Sequence, residues 1–205
     1  KVTSISQAVT RIGLRQIKNI STALAMEQLF VSKNDVVARY LQQEWANTVN
    51  IVASAMAGLQ LYIARTKNRE MSMDTMTLAA LVHNIGVLPI LTEAERHPEV
   101  FANPTFLEVA IDQLSGRIGA SIMREWGFGD SFVNVAKNWK DLSYLPDNLS
   151  YIDFVRVGAA VSGAAGSQKD AILNLAIQRG VVEDMGELHS DEFEELRSAA
   201  KQIFL

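Results

Sequence analysis

Cysteine is absent from this 205-residue chain, which excludes disulfides, thiolate metal sites and cysteine nucleophiles. A cysteine-free chain fits a reducing compartment, and the cytoplasm is the expected location. Proline occurs only four times, at Pro89, Pro98, Pro104 and Pro146, so helix breaks are few. No alternating strand pattern, Asn-Gly hairpin signal or internal repeat is visible. Neither a Gly-x-Gly-x-x-Gly nor a Gly-x-x-x-x-Gly-Lys-Ser/Thr motif occurs. Ser115-Gly116 and Ser162-Gly163 lack the Gly-x-Ser-x-Gly elbow of a serine nucleophile. The longest wholly small or apolar stretch, about Val157 to Gly166, is far short of the roughly 20 residues that cross a bilayer. No basic-then-apolar segment opens the chain, so neither a signal peptide nor a membrane partner is expected. The first residue is Lys1, so a natural start upstream stays open. The net charge of −4 argues against general nucleic-acid affinity, leaving room only for a local basic patch.

What is present is a helical pattern over nearly the whole chain. Hydrophobic residues are 48% and charged residues 20%, enough for a packed core. Ser6 is a candidate cap for a first helix with Ala8, Val9 and Ile12. Gly13 interrupts it, and Leu14, Ile17, Ile20 and Leu24 resume the pattern to about Phe30. Lys33-Asn34-Asp35 reads as a connection with a cap. A long helix follows over roughly 35–64, with Val37, Leu41, Trp45, Val49, Val52, Met56 and Leu59 inward. Asp74 is expected to cap the next helix, which carries Leu78, Leu81, Val82 and Ile85 and ends or bends at Gly86. Thr92 to Glu95 reads as a short helix closed by Pro98, because Pro89 is awkward in a helix interior.

Pro104 reopens helix with Leu107, Ile111, Leu114, Ile118, Ile122, Met123 and Trp126. Asp130 and Asp147-Asn148 are the expected caps of two further helices. The second of these runs into a glycine- and alanine-rich stretch, 158–166, whose small side chains imply a close helix neighbour. The tail from Glu183 to Leu196 holds seven acids, read mainly as a solvated face. With no linker, the expectation is one all-α domain.

Three histidines exist. His97 and His189 lack a ligand-spaced partner and read as surface residues. His83 sits inside the apolar run Leu81-Val82-His83-Asn84-Ile85-Gly86. A lone histidine on such a face is more often a satisfied core residue than a ligand. The helically spaced basic run Arg11, Arg15 and Lys18 reads as a solvated face, with an anionic partner as the sharper alternative.

The run around His83 resembles Leu-Leu-His-Asp-Ile-Gly, the hallmark of the HD superfamily of metal-dependent phosphohydrolases. Other segments narrow the resemblance to the HDOD domain, the HD-related output domain. They are Ala8-Val9 through Ile12-Gly13-Leu14-Arg15-Gln16-Ile17, then Trp45-Ala46-Asn47-Thr48, then Ile118-Gly119-Ala120 leading to Trp126-Gly127-Phe128. They occur in family order over roughly 3–165. An acidic helical extension would follow over 166–205, and the family's small N-terminal lobe is expected to be absent from this chain. The resemblance implies an HD-like helical bundle in a single compact domain.

It also implies where metal ligands would stand. The first His position holds Asn47, and the His-Asp pair is His83-Asn84. A further His position reads as Ser115, and a later His-His pair as Trp139-Lys140. The late Asp falls near Ala159 or Ala160. One imidazole and two amides give a divalent cation no anionic ligand, and Lys140 repels it further.

The expectation is therefore a non-catalytic regulatory module with no cofactor and a protein partner in a signalling pathway. A metal-dependent phosphohydrolase using Mg or Mn on a nucleotide or other phosphoester is the alternative, and a small-ligand sensor a further one. Trp139 is expected either to fill the old metal space, with Asn47, His83 and Asn84 hydrogen-bonded across it, or to pack elsewhere with the pocket closed.

Overall fold

The computed structural model describes residues 14–97, 99–100 and 104–204. The helix expected from Ser6 to Ile12, Arg11 and Pro98 lie outside what is described, as do the side chains of Arg15 and Lys18 in the basic run. The described residues form nine α-helices and no strand. They are α1 (Leu14–Glu27), α2 (Asp35–Thr66), α3 (Met73–Val82), α4 (Val87–Glu95), α5 (Pro104–Glu125), α6 (Asp130–Asn138), α7 (Tyr151–Ser162), α8 (Lys169–Gln178) and α9 (Asp191–Lys201).

The 32-residue helix α2 is the axis of the fold, about 48 Å long at 1.5 Å per residue. Asn34 Oδ1 caps it, accepting from the Val36 and Val37 amides at 2.9 and 3.2 Å. Lys67, at φ 58°, ends it in the left-handed region and donates its amide to Ile63 O. The expected inner residues are buried except Trp45, which is half-buried. From Ile51 to Leu59 every residue is buried, because α3, α7 and α9 surround this half. Gly158 permits the closest approach: a Cβ there would stand 2.5 Å from Ile51 O. The small side chains of α7 thus let its backbone lie directly on α2.

Three apolar clusters surround α2. The largest joins it to α3, α7, α8 and α9. A second links α1, α3, α5 and α6, and a third links the start of α2 to α4 and α5. Trp45 packs against all three. The acidic tail is part of this arrangement, since Leu188, Phe193 and Ala200 enter the main core. Asp191, Glu192, Glu194 and Glu195 remain exposed, as a solvated face requires.

Several sequence expectations change. Ser72, not Asp74, caps α3, its Oγ accepting from the Thr75 amide, while Asp74 sits in the first turn. Gly129 precedes α6, with Asp130 as its first helical residue. Ser150 precedes α7, its amide held by Asp153 Oδ2 at 2.8 Å, so Asp147 and Asn148 fall in the loop before it. Helix α4 starts at Val87, which places Pro89 in a first turn where no amide is needed. Leu24, Leu114 and Trp126 point outward rather than inward. In α5 the expected Leu107 and Met123 are buried, joined by Ser115, Gly119 and Ala120.

Gly86 neither ends a helix in the left-handed region nor bends it by unusual dihedrals, because its φ is −69°. It allows contact: a Cβ would lie 1.9 Å from Ser115 O. The short turn between α3 and α4 also makes Met73–Glu95 nearly continuous. That segment, unlike the 157–166 stretch, is long and apolar enough by length and composition to cross a membrane. Two thirds of its apolar window (67%) is buried inside the fold, as in a core helix.

Candidate functional site

The turn at 83–86 brings His83 and Asn84 opposite one face of α2. His83 is 2% exposed. Its Nδ1 donates to Ala80 O at 2.6 Å, which leaves the lone pair on Nε2. Burial pulls its pKa down to about 4, the Ala80 bond resists, and Lys140 adds to the drop. The imidazole is therefore neutral near pH 7. The Trp139 ring meets it edge-on, with centroids 4.8 Å apart and planes at 77°.

Asn84 Nδ2 donates to Glu44 Oε2 at 2.6 Å, while Asn84 Oδ1 is buried without a hydrogen-bond partner. Glu44 lies on α2, three residues before Asn47. Burial raises its carboxyl above the usual range, and Lys140 and the Asn84 bond pull it back. Glu44 is the residue that sequence reasoning missed. Its signal was available: a carboxylate beside Trp45, on the inward side of a helix otherwise lined by apolar residues.

A cavity of about 100 Å³ remains between these groups. Asn47, His83, Asn84, Trp139 and Lys140 all line it, as do Glu44, Thr48 and Ala164. Ser115 does not. It faces a larger recess of about 530 Å³ with Lys137, Asp141 and the 164–168 turn, and Trp139, Lys140 and Ala164 line both spaces. Trp139 thus occupies part of the space beside His83 without closing it. The expected hydrogen-bonded trio does not form. Asn47 Oδ1 accepts from Gln43 at the surface (3.0 Å), His83 bonds to backbone, and Asn84 bonds to Glu44. Ala159 and Ala160 are fully buried in α7.

Lys140 stands at the rim. Its Nζ is 5.2 Å from the centre of the Trp139 ring and 3.9 Å from Asp112 Oδ1. The turn carrying both residues is fixed from beneath by Arg156, which is 1% exposed. Arg156 Nε donates to Trp139 O at 3.2 Å. Its Nη2 donates toward Asn138 O, Asp141 O and Tyr144 O at 3.0, 2.6 and 2.9 Å. Burial lowers the guanidinium pKa, and Asp153 and Asp141 offset part of that cost. Asp153 itself pairs with Arg179 at 2.8 Å.

The residues fit a catalytic metal poorly. The cavity offers one imidazole and one carboxylate already bonded to an amide, with an ammonium at its edge. Metal ions need several anionic or imidazole donors held together. Among the described residues no group of three His, Asp or Glu side chains comes together in that way. Glu44 nevertheless corrects the count made from sequence, because the site does contain an anionic group. His97 and His189 lie at the surface, as expected.

No curated protein matches the chain. A crystal structure from Shewanella amazonensis SB2B, of a protein provisionally named a metal-dependent phosphohydrolase, is similar at a TM-score of 0.88 and 39% identity. The match covers 100% of this chain and 74% of that one. Sequence landmarks, all-helical architecture and structural likeness agree with a match of the HDOD domain family to residues 1–142, and the chain belongs to that family.

Proposed function

We propose that this HDOD protein is a non-catalytic regulatory module that presents its helical surface to a protein partner in a cytoplasmic signalling pathway. One observation carries the reading: the position where an HD hydrolase would gather metal ligands holds a neutral His83 with the Trp139 ring against it. Lys140 supplies positive charge at the rim. A phosphohydrolase needs a metal to lower the pKa of bound water and to hold phosphate oxygens, and this donor set is short of what that demands. The charge balance also weighs against nucleic acid as the partner.

Two observations keep a metal-dependent phosphohydrolase as the second reading. They are the name of the Shewanella relative and the Glu44 carboxylate beside His83 and Asn84. A small-ligand sensor draws support from the paired cavities.

Calorimetric titration with Mn²⁺ and Mg²⁺, with a phosphatase and phosphodiesterase panel, separates the first two readings. The expected outcome is no stoichiometric metal binding and no turnover. Turnover that requires metal and disappears in His83→Ala would establish the enzyme. Thermal-shift screening against nucleotides tests the sensor, whose ligand would raise the melting temperature.

A further inference from the structure

We propose that Lys140 is the site's own cation, taking the electrostatic place of a metal, and that its charge rather than its bulk adds to the shortage of donors in keeping divalent ions out. The inference rests on the non-catalytic reading above.

The argument begins with what the cavity still offers. Asn84 Oδ1 is a buried acceptor with no hydrogen-bond partner. His83 Nε2 bears a lone pair because the neutral ring keeps its proton on Nδ1, which donates to Ala80 O. Glu44 is a carboxylate whose Oε2 is engaged by an amide rather than by a cation. All three residues border the same space of about 100 Å³. A wall of acceptors beside a desolvated carboxylate attracts positive charge.

The positive charge bordering that space belongs to Lys140. It lies over the Trp139 ring at 5.2 Å and beside Asp112 at 3.9 Å, and it borders both cavities. Its electrostatic influence reaches Glu44 and His83 alike. A lysine on a flexible stem can serve as such a point charge without forming a direct ion pair with Glu44. It stabilises the carboxylate, and it repels any second cation that approaches the same acceptors.

The test compares charge with volume. Full-length Lys140→Met keeps most of the side-chain bulk without charge, and Lys140→Arg keeps the charge. Binding of Mn²⁺ alone is followed by loss of the free-ion electron paramagnetic resonance signal, with thermal melts confirming that each variant is folded. Lys140→Met should bind Mn²⁺ at least tenfold more tightly than the native chain, while Lys140→Arg should not. Adding Glu44→Gln to Lys140→Met should remove the gain.

Lys140→Met that binds no better than the native chain would overturn the inference. So would equal gains in both lysine variants, or a gain that survives Glu44→Gln. Tight, stoichiometric Mn²⁺ binding by the native chain, lost in His83→Ala, would sink the non-catalytic reading together with this inference. Silence in Lys140→Met would sink this inference alone.

Discussion

Two buried polar clusters meet at the turn between α6 and α7, and they are built differently. Around Arg156, four backbone carbonyls receive hydrogen bonds from one guanidinium, leaving only Nη1 without a partner. Around His83, the imidazole and the Asn84 amide each have one bond, an acceptor is orphaned, and a cavity remains. The first cluster closes a loop. The second leaves acceptors unused around a cavity. A buried charge with nearly complete partners holds structure together, whereas a cluster with unused acceptors has capacity for a ligand or an ion.

The largest expected effect lies in the first cluster. Arg156→Met leaves four carbonyls without their donor and should cost about 3–5 kcal/mol. At this chain length that corresponds to a fall in Tm of roughly 6–20 °C, read by calorimetry or circular dichroism. A loss below about 1 kcal/mol would erase the distinction between the clusters.

The second cluster should respond to acid. The folded pKa of His83 is about 4, against an ordinary value of 6.5. Between those values the unfolded chain binds more protons than the native one, so stability falls as pH drops from 6.5 to 4. The expected contribution of His83 is about 3 kcal/mol across that window. Glu44 acts in the opposite sense, because its raised pKa makes the native state bind more protons just above the usual carboxylate range. Urea denaturation of the native chain, His83→Gln and Glu44→Gln at several pH values tests both contributions. His83→Gln should flatten the acid slope, and Glu44→Gln should steepen it. An unchanged slope in His83→Gln would show that the imidazole titrates freely.

The smallest effect belongs to Asn47. Its hydrogen bond to Gln43 is exposed, so Asn47→Ala should change stability by no more than about 0.5 kcal/mol. A larger loss in chemical denaturation would make Asn47 part of the buried network rather than a bystander at its rim.

Much of the fold was legible because it depends on spacing. The inward face of α2 reads directly from residues three and four apart, and all but Trp45 are buried. Helix starts were less legible, since two candidate caps stand within a few residues of each other, as at Ser72 and Asp74. The choice depends on loop geometry that periodicity does not carry. The helix expected to run through Ile85 to Gly86 stops at Val82, and residues 83–86 form a turn, where Gly86 is set by contact with the Ser115 backbone rather than by helix periodicity.

At the site, His83 and its neighbours were found through the family motif. That route looked only at the positions that the resemblance assigns to ligands, and so passed over Glu44 one turn away. Arg156 was missed for a related reason. Among the apolar residues between Ile152 and Val157 it looks, like Asp153, an interruption, yet its partners lie 12 to 18 residues away in the loop that it ties down.

The position of Trp45 has a practical consequence. The chain's three tryptophans report from three unlike surroundings: Trp126 is 53% exposed, Trp139 sits beside the imidazole, and Trp45 lies where all three apolar clusters converge. The native fluorophores are therefore optical labels already installed. With Trp126 and Trp139 replaced by phenylalanine, the emission of the remaining indole follows how the three packing units move against one another when something docks.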